Sequence, residues 1–394
     1  MLARALQARG FRAAFAGEAR YLQDPAVAAP GEFGHWPLAD FTMEAAFNYL
    51  RKTFYRPGHA FLRQQVQDEL AVLEASQPRL VVCDFRLTSY ISARLKGVPV
   101  VSLLGGRWLL QYAPEPIEPA RSHPSYPLLK RFCGPWLFRS AALPLQLRLL
   151  RWKLAPYRAV AKEHGLNMPR DIWDWFIGDH NLVLDTETMG PTLPLPSHFT
   201  RVGPITWNPD MALPEWIREL DPAKPLVYVT MGSTGDPDLF HQIIGLLAGL
   251  DCHGVISTGG QLELDAASLP RNIRAAKFLP GVEVMKRAAL VIFHGGAGTA
   301  YQAIAAGTPA IVIATHFEQE FAGLVFERHG AGQFHTMRET RADPAPLAEG
   351  VREMLANPAP YRAGVDTLRQ DYLRHDPINE AADCISEFLA KGGH

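Results

Sequence analysis

The sequence predicts an α/β fold in two domains, each a parallel sheet covered by helices on both faces. Three observations lead there. Short β-branched runs alternate with helical stretches, and the runs are apolar almost throughout, as strands buried on both faces are. The alternation comes in two blocks separated by a segment rich in proline and tryptophan. Finally, 394 residues with 47% apolar and 20% charged content can fill two cores.

Taken in order, "MLARALQARGFRAAFAGEA" reads as a helix ended at Gly10 and a strand from Phe11 to Ala16. "RLVVCDF" is a strand, "TSYISARLKG" a helix closed by Gly97, and "VPVVSLL" a second strand, which together make a βαβ unit. "CGPWLFRSAALPLQLRLLRWKLAPY", Cys133 to Tyr157, is apolar but interrupted by Arg139, Arg148 and Arg151, with Pro144 inside. A spanning helix needs about 20 predominantly apolar residues, so the expectation is a pair of amphipathic helices, with a helix lying on a membrane surface as the alternative. "VGPITWNPDMALPEWIRELDPAKP" lacks sustained periodicity and reads as the linker.

The second block supplies "LVYVTMGS", "GVISTGG", "NIRAAKFLP", "ALVIFHGG", "TPAIVIA" and "AGQFHTM" as strands, with "PDLFHQIIGLLAGL" and "EQEFAGLVFERHG" among the helices between them. The last helix, "INEAADCISEFLAKGG", ends at a glycine pair.

Charge excludes little but weighs against one partner. A formal net charge of -1 provides no global basic field for nucleic acid. Cys83, Cys133, Cys252 and Cys384 form no C-x-x-C pair and fit a reducing compartment, and the first residues lack an apolar signal-peptide region. The expected location is cytoplasmic.

The chemistry concentrates in "ALVIFHGGAGTAYQAIAAGTPAIVIATHFEQE", Ala289 to Glu320. A strand delivers His294 and the loop Gly295, Gly296, Ala297, Gly298 to a sheet edge, with a helix expected from near Thr299. Glycines let the backbone approach a ligand closely, and free N–H groups with the helix dipole favour a phosphate. Thr299 adds a hydroxyl, and a protonated His294 a charge-assisted donor. No lysine follows Gly298, so this is not a Walker loop, and Tyr301 stands where a dinucleotide fingerprint needs glycine or alanine. Met231 breaks a serine-hydrolase elbow at Ser233. His316, Glu318 and Glu320 do not match H-E-x-x-H, and no protein-held metal is expected.

"FHGGAGTAYQAIAAGTPAIVIATHFEQ" resembles the donor-binding segment of the inverting nucleotide-sugar glycosyltransferases, the group of UDP-glucosyl and UDP-glucuronosyl transferases and bacterial natural-product enzymes. The likeness is strong from Leu226 to about Gly332, weaker from Met1 to Leu104, and loose over 105–205. It implies the GT-B fold, two Rossmann-like doubly wound domains facing across a cleft. The expected division is an acceptor-binding domain over 1–205, a linker over 206–222, a nucleotide-sugar domain over 223–374, and a C-terminal helix, 375–394, returning to the first domain.

The resemblance implies roles residue by residue. His294 is similar to the family's diphosphate histidine, with Gly296, Gly298 and Thr299 facing the phosphates and Ser233 closing over them. In "KFLPG", Phe278 stacks on the base and the Leu279 backbone pairs with its edge, while Glu318 and Gln319 match the pair that grips sugar hydroxyls. Gln302 stands where many relatives carry a ribose-binding glutamate and Ala322 where many carry asparagine, which leaves UDP-sugar or TDP-sugar, and the sugar itself, open.

The implied reaction moves a hexose to an acceptor hydroxyl with inversion, using no cofactor beyond the nucleotide-sugar co-substrate and no metal. The implied partners are that donor and a small hydrophobic or lipid acceptor, with no nucleic acid. Asp84, in "VVCDF", falls where the family orients its catalytic histidine. That histidine belongs after a first strand which "MLARALQARGF" does not contain, so the expectation is roughly 15 to 25 residues upstream of Met1. His35, in "GEFGHWPLAD", reads as a loop histidine and is the candidate substitute base. A non-catalytic nucleotide-sugar binder or auxiliary subunit, and a lipid glycosyltransferase docked on a membrane through 133–157, are the alternatives.

Overall fold

The computed structural model describes residues 1–18, 22, 28–29, 31–39, 56–114, 120–122, 126, 143–208, 211–231, 237–260 and 262–392. The chain divides into two compact units. Unit 1 holds residues 1–118, 133–205 and 375–394, and unit 2 holds 119–132 and 206–374.

Unit 1 runs α1 Leu2–Ala8, β1 Ala14–Ala16, β2 Gly34–Trp36, α2 His59–Ser76, β3 Val81–Cys83, α3 Ser89–Lys96, β4 Val100–Leu104, α4 Leu143–Lys153, α5 Ala155–Glu163, α6 Ile172–Trp175, β5 His180–Val183 and β6 Phe199–Arg201. Its main sheet is parallel in the order β3-β4-β5-β6. The expected βαβ unit is β3-α3-β4, and Gly97 closes α3 at φ +64°, a left-handed position that favours glycine. Along β4 the side chains alternate between two cores: Val100 and Leu104 join α2, α3 and Trp175, whereas Val101 joins Leu6 of α1.

Two expectations for the first residues need correction. The strand expected over Phe11 to Ala16 begins only at Ala14, because Phe11 still serves the preceding helix. Its N–H caps the Leu6 carbonyl, that of Gly10 caps Gln7, and its ring packs into the core beside α1. The strand that remains pairs in parallel with β2 alone, as a two-stranded sheet separate from the main one, with all three residues exposed. His35 lies on β2 rather than in a loop, 2.8 Å from the Gly17 carbonyl through Nε2.

Unit 2 runs α7 Glu215–Arg218, β7 Leu226–Thr230, α8 Pro237–Ala248, β8 His253–Ser257, β9 Ile273–Ala276, α9 Gly281–Met285, β10 Leu290–Phe293, α10 Ala297–Ala306, β11 Ala310–Ala314, α11 Phe317–Arg328, β12 Gly332–Thr336, α12 Met337–Ala342, α13 Ala345–Ala356 and α14 Pro358–Tyr372. All six strands read from the sequence form one parallel sheet, β12-β11-β10-β7-β8-β9. Both β10 and β11 are buried at every residue, which is why they read as unbroken apolar runs. The chain then returns to unit 1 as α15, Pro377–Ala390, whose Ala381, Ala382 and Ile385 pack with Leu6, and Arg9 bonds Asp383 at 2.7 Å.

Of the apolar segment 133–157, residues 133–142 lie outside the described residues, and the rest forms α4 and the start of α5 on either side of the buried Leu154. No helix among the described residues is long and apolar enough to cross a membrane.

Candidate functional site

In an open parallel sheet ligands bind beyond the carboxyl ends of the strands, where the strand order reverses. In unit 2 that point lies between β7 and β10, since the chain proceeds outward from β7 through β8 and β9 and then restarts at β10. Phe293 is in register with Thr230 of β7 and Val312 of β11, so the residue that leaves the sheet at its centre is His294.

His294 is 8% exposed, and its Nδ1 is buried without a hydrogen-bond partner among the described residues. Burial, and to a smaller extent the charge of His316, pushes its pKa down to about 4. The free protein at neutral pH therefore holds an uncharged imidazole. A bound diphosphate would draw that pKa upward.

Each glycine in the loop has its own reason. Gly295 sits at φ +94°, and a Cβ there would collide with the backbone carbonyl of Gln319. A Cβ on Gly296 would stand 2.7 Å from Nε2 of His294, so the imidazole lies folded against this glycine. Gly298 is different, because a Cβ there meets nothing within 4 Å. The loop is closed against the protein at Gly295 and Gly296 and open in front of Gly298. Helix α10 starts at Ala297, two residues before the expected Thr299, with Gly296 as an N-cap that has no side chain to offer. Its first amides and the positive end of its dipole thus face the opening, which suits an anion.

Beyond β11, His316 caps α11, and Glu318 is half-buried in the first turn. Gln319 is buried, and its Oε1 accepts hydrogen bonds from the N–H and the hydroxyl of Thr315, both at 2.8 Å. Only its amide N–H₂ is left to face a ligand. Glu320 turns away from His316 and Glu318, accepting the backbone N–H groups of Arg121 and Ser122 at 2.8 and 2.6 Å. The side chain of Arg121 bonds Glu339 and lies over the Phe334 ring.

Past β9, Phe278 is 59% exposed, well outside the core, while the Leu279 side chain is buried. The sheet thus gathers Phe278, Leu279, His294, Gly296, Gly298, Thr299, Glu318 and Gln319 at one edge, because every strand ends there in the same sense. Ser233 lies outside the described residues. Asp84 belongs to unit 1, directly after β3. It is exposed, yet desolvation by the surrounding protein raises its pKa above the usual carboxylate value. Phe85 beside it is held at φ +54°, a strained position for a non-glycine residue.

Sequence reasoning missed Arg121 and Ser122, which act on Glu320 through backbone groups that carry no residue-type signal. It also missed Thr315, whose partner is fixed only by the turn into α11.

Residues 241–387 match the family described as erythromycin biosynthesis protein CIII-like, C-terminal domain. A PGL/p-HBAD biosynthesis glycosyltransferase of Mycobacterium tuberculosis (strain ATCC 25177 / H37Ra) is 30% identical over 365 residues, 90% of this chain and 80% of that protein. A PGL/p-HBAD biosynthesis rhamnosyltransferase of Mycobacterium bovis (strain BCG / Pasteur 1173P2) is 30% identical over 360 residues, 90% of this chain and 76% of that one. Among solved structures, the glycosyltransferase VinC in complex with DTDP is similar at a TM-score of 0.66 and 20% identity, covering 99% of this chain and 95% of its own.

Fold and site together define a GT-B enzyme of nucleotide-sugar chemistry. The chain belongs to the GT-B glycosyltransferases, in the family of the mycobacterial PGL/p-HBAD enzymes, and it is a glycosyltransferase.

Proposed function

We propose that the protein transfers a hexose from a nucleoside-diphosphate sugar, of the thymidine or uridine class, to an acceptor hydroxyl with inversion and without a protein-held metal. The observation that carries this reading is the buried, unpartnered Nδ1 of His294 beside an uncapped helix start that is open in front of Gly298. VinC, a structural relative, is in complex with DTDP, which supports a thymidine diphosphate donor here.

In this reading the diphosphate lies over Gly296, Gly298 and Thr299. The nucleobase rests on Phe278 and meets the Leu279 backbone, and Glu318 with the Gln319 amide holds the hexose. As the glycosidic bond breaks, charge grows on the departing diphosphate. His294, the first amides of α10 and the helix dipole stabilise it, donors of the kind worth about 3 kcal/mol each in a transition state.

The acceptor oxygen loses its proton to a base as it attacks the anomeric carbon from the face opposite the leaving group, which inverts the configuration. Asp84, with its raised pKa, is the carboxylate on that proton path in unit 1. The acceptor is small and hydrophobic, or a lipid, in keeping with the apolar composition of 133–157.

A thermal-shift screen of nucleotide sugars tests the donor, since a ligand that binds the folded state raises its melting temperature by mass action. The anomeric configuration of the product, read by NMR, tests inversion. A screen in which no thymidine or uridine diphosphate sugar stabilises the protein, or a product that retains configuration, would overturn the proposal.

A further inference from the structure

Trp207 and Phe278 are the two most exposed phenylalanine or tryptophan side chains among the described residues, at 56% and 59%. They are 71 positions apart, and one side chain joins their surroundings. Gln302, in α10, donates from Nε2 to the Trp207 carbonyl at 3.0 Å. The same amide lies on Gly281, where a Cβ would come within 3.0 Å of its Oε1. Gly281 opens α9 only two residues after Leu279. A single amide therefore pins the backbone of the segment before β7 to the turn that presents Phe278.

Leaving an indole and a phenyl ring in water costs hydrophobic free energy that burial would recover. Two such rings at one end of a ligand site gain from a flat aromatic occupant, and stacking tolerates any base. The bond to Trp207 also accounts for the residue type at 302. A carbonyl needs an N–H donor, which glutamine has and an ionised glutamate lacks.

We infer that Trp207 is a nucleobase-binding residue of the donor site, an aromatic surface for the base in addition to Phe278, held in place by Gln302. This rests on the donor reading given above. Recognition of the base at this end then comes from stacking.

Calorimetric titration of the full chain with thymidine diphosphate, and separately with inorganic pyrophosphate, tests this. Pyrophosphate shares the diphosphate and lacks the base. Trp207→Ala should weaken thymidine diphosphate about tenfold or more and leave pyrophosphate unchanged. Trp207→Phe should restore most of the loss, and Gln302→Ala should reproduce part of it for the base-bearing ligand alone. Equal binding of thymidine diphosphate by Trp207→Ala and wild type, or an equal loss for both ligands, overturns the inference and leaves the donor reading standing. Failure of the wild type to bind either ligand overturns both.

Discussion

The backbone carbonyl of Gln319 occupies the space in which a side chain at Gly295 would begin. This contact locks the loop after β10 to the first turn of α11, joining the proposed diphosphate and sugar ends of the site. Gly295→Ala adds a Cβ at φ +94° against that carbonyl, and strain plus overpacking should cost about 3 kcal/mol or more. Gly298→Ala adds the same atom where nothing lies within 4 Å. Thermal unfolding should therefore separate the two, with Gly295→Ala strongly destabilised and Gly298→Ala close to wild type. In titrations Gly298→Ala should bind nucleoside diphosphate at least several-fold more weakly, because the new methyl group would fill the space proposed for the phosphate.

His294 predicts a pH dependence of stability. Its folded pKa is about 4, below the roughly 6.5 of an unfolded histidine. Between those values the unfolded chain binds a proton that the folded protein excludes. The contribution is thus complete above pH 6.5 and is lost as pH falls toward 4, in total about 3 kcal/mol. His294→Asn should flatten the decline in denaturant stability across that window. An identical decline in the variant would show that the imidazole does not titrate as its burial requires.

The same residue predicts a catalytic effect. His294→Ala should lower the transfer rate by about 10²-fold or more, the usual result of removing one preorganised donor to a transition-state anion. Near-wild-type turnover in a folded variant would remove His294 from the leaving-group role.

For Gln319 two substitutions separate fold from ligand. Gln319→Ala leaves the part-buried N–H of Thr315 without its acceptor and should cost about 1–3 kcal/mol. Gln319→Glu keeps the acceptor and removes the N–H₂ group. That variant buries a carboxylate and should lose some stability, and it should weaken the intact nucleotide sugar by a larger factor than nucleoside diphosphate. An equal loss for both ligands would move Gln319 out of the sugar position.

In unit 1, Glu69 is buried and accepts from Arg86 Nε at 2.5 Å, Thr88 at 2.6 Å and Ser92 at 2.7 Å, tying α2 to the turn that carries Asp84. Glu69→Ala removes the carboxylate that a half-buried guanidinium and two hydroxyls share and should cost about 3 kcal/mol in equilibrium unfolding. A loss under 1 kcal/mol would show that the network is dispensable.

Unit 2 was the legible half of the molecule. Its central strands β7, β10 and β11 are buried on both faces and announce themselves as apolar runs, and a glycine loop after β10 marks the switch point by chemistry alone. The short strands of unit 1 were harder. Ala14 to Ala16 carries no amphipathic signal, and the Schellman-type closure that takes Phe11 away from the strand depends on Gly10 and on a core the helix meets only in three dimensions. Within the site, the residue types of Glu318, Gln319 and Gln302 were visible but not their orientations. The partners that set those orientations are backbone groups, such as the Thr315 amide and the Trp207 carbonyl, which look alike at every position in a sequence. Glu320 shows the same limit, since a carboxylate that reads as a helix-start charge is spent on two amides some 200 residues away.

Hydrogen–deuterium exchange of the full chain, with and without saturating thymidine diphosphate, tests the central claim most directly because it locates the ligand without altering a residue. Protection should appear in peptides covering 294–299, where the α10 amides have no side-chain cap, and in those covering 277–279. Ligand binding shown by calorimetry, with no protection at 294–299, would contradict the account.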